Sequence, residues 1–474
     1  MVLLVFGLVT RAAVFGDIAY FNDESFYLLA GQRMHAGAIP YVDVWDRKGP
    51  ALFALWYLLA GLPGQPLAYQ LAAWLAASGT ALAIAAIARG FAGWQGAVLA
   101  GMVYLSALPM FGGAGGQTPV FYNLAMAGAG WGVWSARDML ARGRVTRRVV
   151  AAMAAAGLAI AFKQCAVAEA IMLGLYALAR LARAGLAPGT LLARAGVLVL
   201  AGVAPFALAA GVYLAIGHWA EFWQAMVGSN LARTVDPYGD HWMRIAALAN
   251  AGSPILALAA IGLAMPRRPG EPAEARAFVA LWTLAAIVGV AIVPNFYDHY
   301  MLPLMVPLAL ASARIADRGW IGAGLAGVAM FILLVACGAL ERAPRREASD
   351  EVRGVAARIA ARQPGALLLV YEGPMALYGR AGRPPESPLL DNFHLYFPYE
   401  DNTSHLDTGA EMARILAQRP QVVVTAEPLS AVAANPRTLA PVRAYLGHCR
   451  KWFTARFREH VSTTPIAVWG DCAR

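Results

Sequence analysis

Charge is what this sequence has least of. Asp, Glu, Lys and Arg make up 14% of the 474 residues and apolar types 59%, which excludes a chain that keeps most of its surface in water. Cysteine is nearly as rare, at four residues. Two, Cys165 and Cys337, fall in apolar runs and read as packing residues, while Cys449 and Cys472 lie in the last segment, where an oxidising compartment would permit a disulfide. A Walker-type Gly-Lys-Ser/Thr loop and a Rossmann fingerprint are missing. The run Gly112-Gly113-Ala114-Gly115-Gly116 falls in a short turn between apolar segments, the wrong context for a nucleotide phosphate, so a nucleotide-sugar donor is disfavoured. No basic leader precedes the apolar run from Val2 to Gly16, which Arg11 interrupts, so no removable signal peptide is evident.

What is present is a series of apolar runs, and the mean hydropathy is +0.54. Runs near the ~20 residues that cross a bilayer describe a polytopic α-helical membrane protein, because backbone groups in lipid must satisfy one another. After the first run they lie near Leu67–Ala88, Trp94–Phe111, Pro119–Ser135, Val149–Phe162, Cys165–Leu181, Ala195–Ile216, Ile245–Met265, Phe278–Val293, Met301–Ser312 and Trp320–Leu340. The expectation is about 11 spans. Arginine gathers in alternate connections: Arg137 to Arg148, Arg180 to Arg194, Arg267 to Arg276, and Arg314 with Arg318. The positive-inside rule makes these cytoplasmic, so the formal charge of +10 is a topology signal and not a nucleic-acid footprint. The first loop, 20–66, the turn at Lys163, the stretch before Tyr300 and everything after Glu341 then lie outside. The segment Ala51–Leu62 is too short to span. With Pro50 at its start and Trp56 and Tyr57 within, it reads as a helix along the outer face.

Two domains are expected: a transmembrane body, 1–340, and an external α/β unit, 341–474. In the second, Asp350–Arg362 leads into Ala366–Tyr371 and Gly409–Gln418 into Gln421–Ala426, each a helix running into a strand. Its polar residues Asp391, His394, Glu400, Asp401, His405 and Asp407 have no compact metal-ligand spacing and read as a solvated loop. Residues Arg233, Asp236, Tyr238, Asp240 and His241 form another polar loop that could close over a substrate, although ordinary loops look the same.

Within the first loop an acidic pair, Asp23 and Glu24, follows one apolar run and a basic pair, Arg47 and Lys48, precedes the next. A solvated loop accounts for such pairs. So does transfer of a sugar from a lipid-linked phosphate donor, which needs a carboxylate to take the acceptor's proton and cations to hold the phosphate. Lys163, between two apolar runs, either snorkels or functions; burying such a charge costs roughly 2.5–3.5 kcal/mol on insertion scales.

The pattern Asn22-Asp23-Glu24-Ser25-Phe26-Tyr27, Ala30, Gly37, Pro40-Tyr41 and Asp46-Arg47-Lys48-Gly49-Pro50 resembles the first external loop of GT-C fold glycosyltransferases of family 39, the protein-mannosyltransferase and aminoarabinose-transferase type. Phe162-Lys163-Gln164 and Tyr297-Asp298-His299-Tyr300-Met301-Leu302-Pro303 resemble two further elements of that family. The resemblance implies an integral-membrane glycosyltransferase of about eleven helices with a small external α/β domain. It implies a polyprenyl-phosphate sugar donor and, as acceptor, a glycan, lipid or protein of the cell envelope. Asp23 would be the catalytic base with Glu24 assisting; Lys48, with Arg47, Lys163, His299 and Tyr300, would hold the donor phosphate. Gly49 replaces a proline that is common there, and Arg47 is an additional cation. A divalent cation at the site is left open. A bacterial inner-membrane location with an extracytoplasmic active site follows from the same resemblance. A transporter or flippase of lipid-linked sugars is the alternative, but it should place its key charges near mid-membrane and show half-to-half repeats.

Overall fold

A computed structural model describes residues 1–232, 234–235, 240–293, 295–429, 434–460 and 462–472. Helices dominate from Val2 to Ala336, and a four-stranded sheet follows. Five helices are long and apolar enough to cross a membrane: Leu67–Ala88, Trp94–Phe111, Gln164–Ala182, Pro188–Ala215 and Gly319–Ala336. The expected run Ile245–Met265 is instead two helices, His241–Ala251 and Ser253–Ala264, bent by 71°. Gly252 and Pro254 account for the break, since proline at the start of a helix supplies no N–H to continue the preceding one. Among the described residues five helices, or six with the bent pair as one span, are long and apolar enough to cross by themselves, and shorter apolar helices such as Val2–Arg11, Ala275–Ala291 and Met305–Ala316 stand beside them. The run at Met301–Ser312 became the 12-residue helix Met305–Ala316, every residue of which is buried by protein. Apolar sequence signals burial in either solvent.

Small residues let the helices of the body approach closely. A Cβ on Gly157 would stand 1.9 Å from the Gly202 carbonyl oxygen, and one on Gly262 would stand 2.1 Å from that of Ala311. Such small-residue contacts are how helices pack where lipid removes the hydrophobic drive. The arginine-bearing connections meet one another. Arg180 pairs with Glu274 at 3.3 Å, Arg314 with Glu271 at 3.1 Å, and Arg268 with Asp317. They form one end of the bundle, as their alternation in the sequence required.

The first loop is more ordered than its polar composition suggests. Asn22–His35 is a helix with Asp23 and Glu24 in its first turn and Arg33 and His35 in its last, the arrangement a helix macrodipole favours. Pro50–Ala60 is the expected short helix with proline at its start. The two cross where Gly31 faces the Trp56 carbonyl, 2.4 Å from where a Cβ would be.

In the C-terminal part, the helix Arg342–Arg362 leads to β1 (Leu368–Val370) and the helix Thr408–Ala417 to β2 (Val422–Ala426). The strands pair in parallel with Leu368 opposite Val422, so both expected helix-then-strand units exist in one sheet. A hairpin of β3 (Arg450–Glu459) and β4 (Ser462–Gly470), not read from the sequence, completes it in the order β1-β2-β4-β3. The Cys449–Cys472 disulfide closes the base of this hairpin.

Candidate functional site

The two basic motifs meet through backbone. The Gly49 N–H donates to the Phe162 carbonyl at 3.0 Å, and Gln164 Nε2 donates to the Arg47 carbonyl at 3.1 Å. A Cβ on residue 49 would lie 2.0 Å from the Ala161 oxygen, so this contact requires the glycine that departs from the resembled pattern. Lys48 and Lys163 are thereby brought to one face, Lys48 after an extended segment and Lys163 at the break after the helix Arg147–Phe162.

Tyr27 joins Asp23 to Lys48. Its hydroxyl donates to Asp23 Oδ2 at 3.3 Å, and Lys48 Nζ lies 5.4 Å from its ring centroid. Gln117 Nε2 is a second donor to Asp23, also at 3.3 Å. Lys48 Nζ contacts Asp46 Oδ2 at 3.3 Å. Burial works against the lysine charge, but Asp46, Tyr27, Asp23 and Asp391 together raise its pKa well above the usual lysine range. Lys163 Nζ stands 4.0 Å from the Tyr300 ring centroid, a cation–π contact. His299 packs edge-on against Tyr300 and Phe21. Burial first, and then the Lys163 charge, lower the His299 pKa, while the adjacent Asp298 and Asp23 oppose them. Five of the seven site residues read from the sequence, Asp23, Lys48, Lys163, His299 and Tyr300, are therefore neighbours.

The other two are placed differently. Glu24 is fully buried and accepts the Gly116 N–H at 2.7 Å, below the glycine run. Burial pushes its pKa up to about 8. Arg11 holds that run from the far side by donating to the carbonyls of Gly113, Ala114 and Gly115 at 2.6, 2.5 and 3.2 Å. What read as a charge interrupting an apolar run is a clamp on three carbonyls. Arg47 forms a two-pronged ion pair with Glu400 and bonds Thr403 at 3.1 Å, so its guanidinium ties the first loop to the C-terminal part. The expected role of Arg47 as a phosphate ligand is not tested by this contact.

Several residues of the C-terminal part enter the site. Asp391, His394 and Glu400 are buried, not solvated, and Asp46 joins the first two. The β3–β4 hairpin reaches in as well. Glu459 accepts the Asn22 N–H, the His460 N–H donates to the Tyr20 carbonyl at 3.0 Å, and Arg345 Nη1 holds the His460 carbonyl at 2.9 Å. Burial raises the Glu459 pKa to about 8 and lowers that of His460 to about 4. Asp401 and Asp407 instead share Arg437 at the surface. Of the polar loop before the bent helix pair, Arg233, Asp236 and Tyr238 lie outside the described residues; Asp240 caps the helix that starts at His241.

Sequence comparison gives no family-model match and no match among curated proteins. Comparison of structures does. ArnT from Cupriavidus metallidurans bound to undecaprenyl phosphate superposes with a TM-score of 0.60 at 15% identity, covering 98% of this chain and 96% of that one. The chain has the GT-C fold. The apo state of the same ArnT gives a TM-score of 0.59 at 14% identity, over 97% of this chain and 96% of that one. The oligosaccharyltransferase of Archaeoglobus fulgidus in its apo form gives 0.50 at 13% identity, covering 90% of this chain and 69% of that one. The GT-C chain described here is a multi-pass membrane protein, as its apolar helices require.

Proposed function

We propose that this protein is an integral-membrane glycosyltransferase that moves a sugar from a polyprenyl-phosphate donor to an acceptor hydroxyl at the outer face of a bacterial inner membrane. The observation that carries the reading is the pairing of Asp23 and Lys48 on either side of Tyr27, with Lys163 and His299 packed on Tyr300 beside them. Its fold is shared with a protein solved with undecaprenyl phosphate bound, which supports a lipid phosphate as the donor's carrier.

In this mechanism the bond between the sugar's anomeric carbon and the phosphate oxygen breaks, a bond from that carbon to the acceptor oxygen forms, and polyprenyl phosphate departs. Asp23 takes the acceptor's proton. Tyr27 and Gln117 aim its carboxylate. Lys48 and Lys163 hold the phosphate, whose negative charge grows as the bond breaks, so their contact strengthens toward the transition state. Glu24 acts on position, by holding the glycine run beneath Asp23, and not by proton transfer. The acceptor is an envelope glycan, lipid A or lipopolysaccharide, or a protein.

The test is sugar transfer from a polyprenyl-phosphate donor in membranes containing the wild type or Asp23→Asn. Loss of a general base lowers turnover by about 10²–10⁴-fold. Full transfer by a folded Asp23→Asn variant would remove Asp23 from this role, and movement of lipid-linked sugar with no new glycosidic bond would favour a flippase.

A further inference from the structure

We propose that Asp46, Asp391 and His394 bind one first-row divalent cation, of the zinc or manganese type, which clasps the first loop to the C-terminal sheet unit. The ligand atoms of the three side chains lie within 4.8 Å of one another, and all three residues are buried, at 2%, 6% and 5% exposure. They come from opposite ends of the chain, so no sequence spacing could have announced them.

The imidazole is the decisive observation. His394 Nδ1 lies 3.3 Å from Glu400 Oε2, while Nε2 is buried and has no hydrogen-bond partner among the described residues. A carboxylate on one ring nitrogen fixes the tautomer and leaves the other as a ligand, which is how metal-binding histidines are usually oriented. Arg47 in turn holds Glu400 in place. The two aspartates are oriented similarly. Asp46 Oδ1 accepts the Lys48 N–H at 3.1 Å and Asp391 Oδ1 accepts the Phe393 N–H at 3.1 Å, which turns the second oxygen of Asp391 to a ligand, while Asp46 Oδ2 is shared with Lys48 Nζ at 3.3 Å.

Charge points the same way. Asp46, Asp391 and Glu400 face Arg47 and Lys48, three carboxylates against two cations. A buried, uncompensated carboxylate is costly, and a cation would balance it. One imidazole and two carboxylates suit zinc or manganese better than the all-oxygen shells of calcium or magnesium. Ligands around a tetrahedral zinc at ~2.0–2.1 Å stand about 3.3 Å apart, so binding would draw the first loop toward the sheet unit. It would also displace Lys48 Nζ from Asp46 Oδ2. That last consequence rests on the reading of Lys48 as the phosphate ligand, whereas the cation site itself does not.

The test uses the full-length protein in detergent micelles, stripped with chelator and dialysed against Zn²⁺ or Mn²⁺, with bound metal counted by mass spectrometry. The wild type should take up a single equivalent, and affinity should fall at least about tenfold in His394→Gln and in Asp391→Asn, as it does when even outer-shell partners are lost. X-ray absorption on zinc-loaded wild type needs no variant to fold, and should show oxygen ligands with one imidazole and no sulfur. Uptake far below one equivalent, equal uptake by a folded double variant, or a shell containing sulfur or several imidazoles would overturn the site. None of these readings depends on sugar transfer, so the two proposals fail separately.

Discussion

At the scale of single residues, lysine is the informative type. The sequence holds three, at positions 48, 163 and 451, against a large excess of arginine, and two of the three stand in the candidate site. Arginine's planar fork suits the fixed ion pairs at the opposite end of the bundle; a compact ammonium suits a phosphate that must enter and leave. Lys48→Met should therefore lower turnover at saturation more than it raises the KM for donor, and Lys48→Arg should restore only part of the loss, both read from initial rates of sugar transfer. Buried acids make a second prediction. Glu459 has a folded pKa of about 8, above its unfolded value. Between these values the unfolded chain has lost the proton that the folded chain keeps, so stability falls as pH rises through this window. His460, lowered to about 4, acts in the opposite sense and only on the acid side, where stability falls as pH drops below the ordinary histidine range. The arm from about pH 6.5 to 8 thus reports the two buried acids, Glu459 and Glu24, each with a loss of about 1–2 kcal/mol. Thermal unfolding followed across that arm should fall for the wild type and fall less steeply in Glu459→Gln.

At the scale of elements, two contacts set the site. The backbone of the first loop touches the end of the helix Arg147–Phe162 only because residue 49 lacks a side chain. Gly49→Ala puts a methyl group where a carbonyl oxygen stands. It should cost about 1–3 kcal/mol by overpacking and reduce transfer by displacing Lys48, whereas the same substitution at Gly128, with open space around its Cβ position, should do neither. The hairpin is the other element. Its tip carries Glu459 and His460 to Asn22 and Tyr20, and its base is closed by Cys449–Cys472, 23 residues apart. A bridge over a loop of that length contributes about 3 kcal/mol in the chain-entropy model. Replacing both cysteines by serine should lower the thermal midpoint measurably and loosen the tip, which hydrogen exchange at Asn22 would report as faster exchange of an amide now held by Glu459. The helix Asn22–His35 was read from the sequence only as part of a polar loop; its acidic start, its basic end and Gly37 beyond, whose φ of +96° is the left-handed conformation that closes helices, are the signals that could have found it. The hairpin carried a weaker signal, since β3 exposes Arg450, Lys451, Thr454 and Arg456 along its length.

At the scale of the whole molecule, the chain sorts its charges to two ends. Arginine-bearing connections pair with Glu271, Glu274 and Asp317 at one end, and the lysines, His299 and the C-terminal part gather at the other. The positive-inside rule gives this polarity a direction. Single cysteines placed at the exposed positions Arg144 and Asp350, in a background lacking the two unpaired cysteines, should label oppositely with a membrane-impermeant maleimide. Residue 350 should react in intact cells and residue 144 only after the membrane is opened; the reverse pattern would invert the molecule.

The sequence by itself determined that the chain is helical and membrane-embedded, that alternate connections share an end and that two helix-then-strand units end it; that Asp23, Lys48, Lys163, His299 and Tyr300 belong together was implied by the family resemblance. The first three properties are local, or follow from the period and length of apolar runs, which solvent alone constrains. Only the tertiary structure decided that Arg11 clamps the glycine run, that Arg47 is bound by Glu400, and that Asp46, Asp391 and His394 converge. Each of these joins residues far apart in the chain. Such contacts are set by how helices and sheet pack, and a buried carboxylate has the same letter in the sequence as a solvated one.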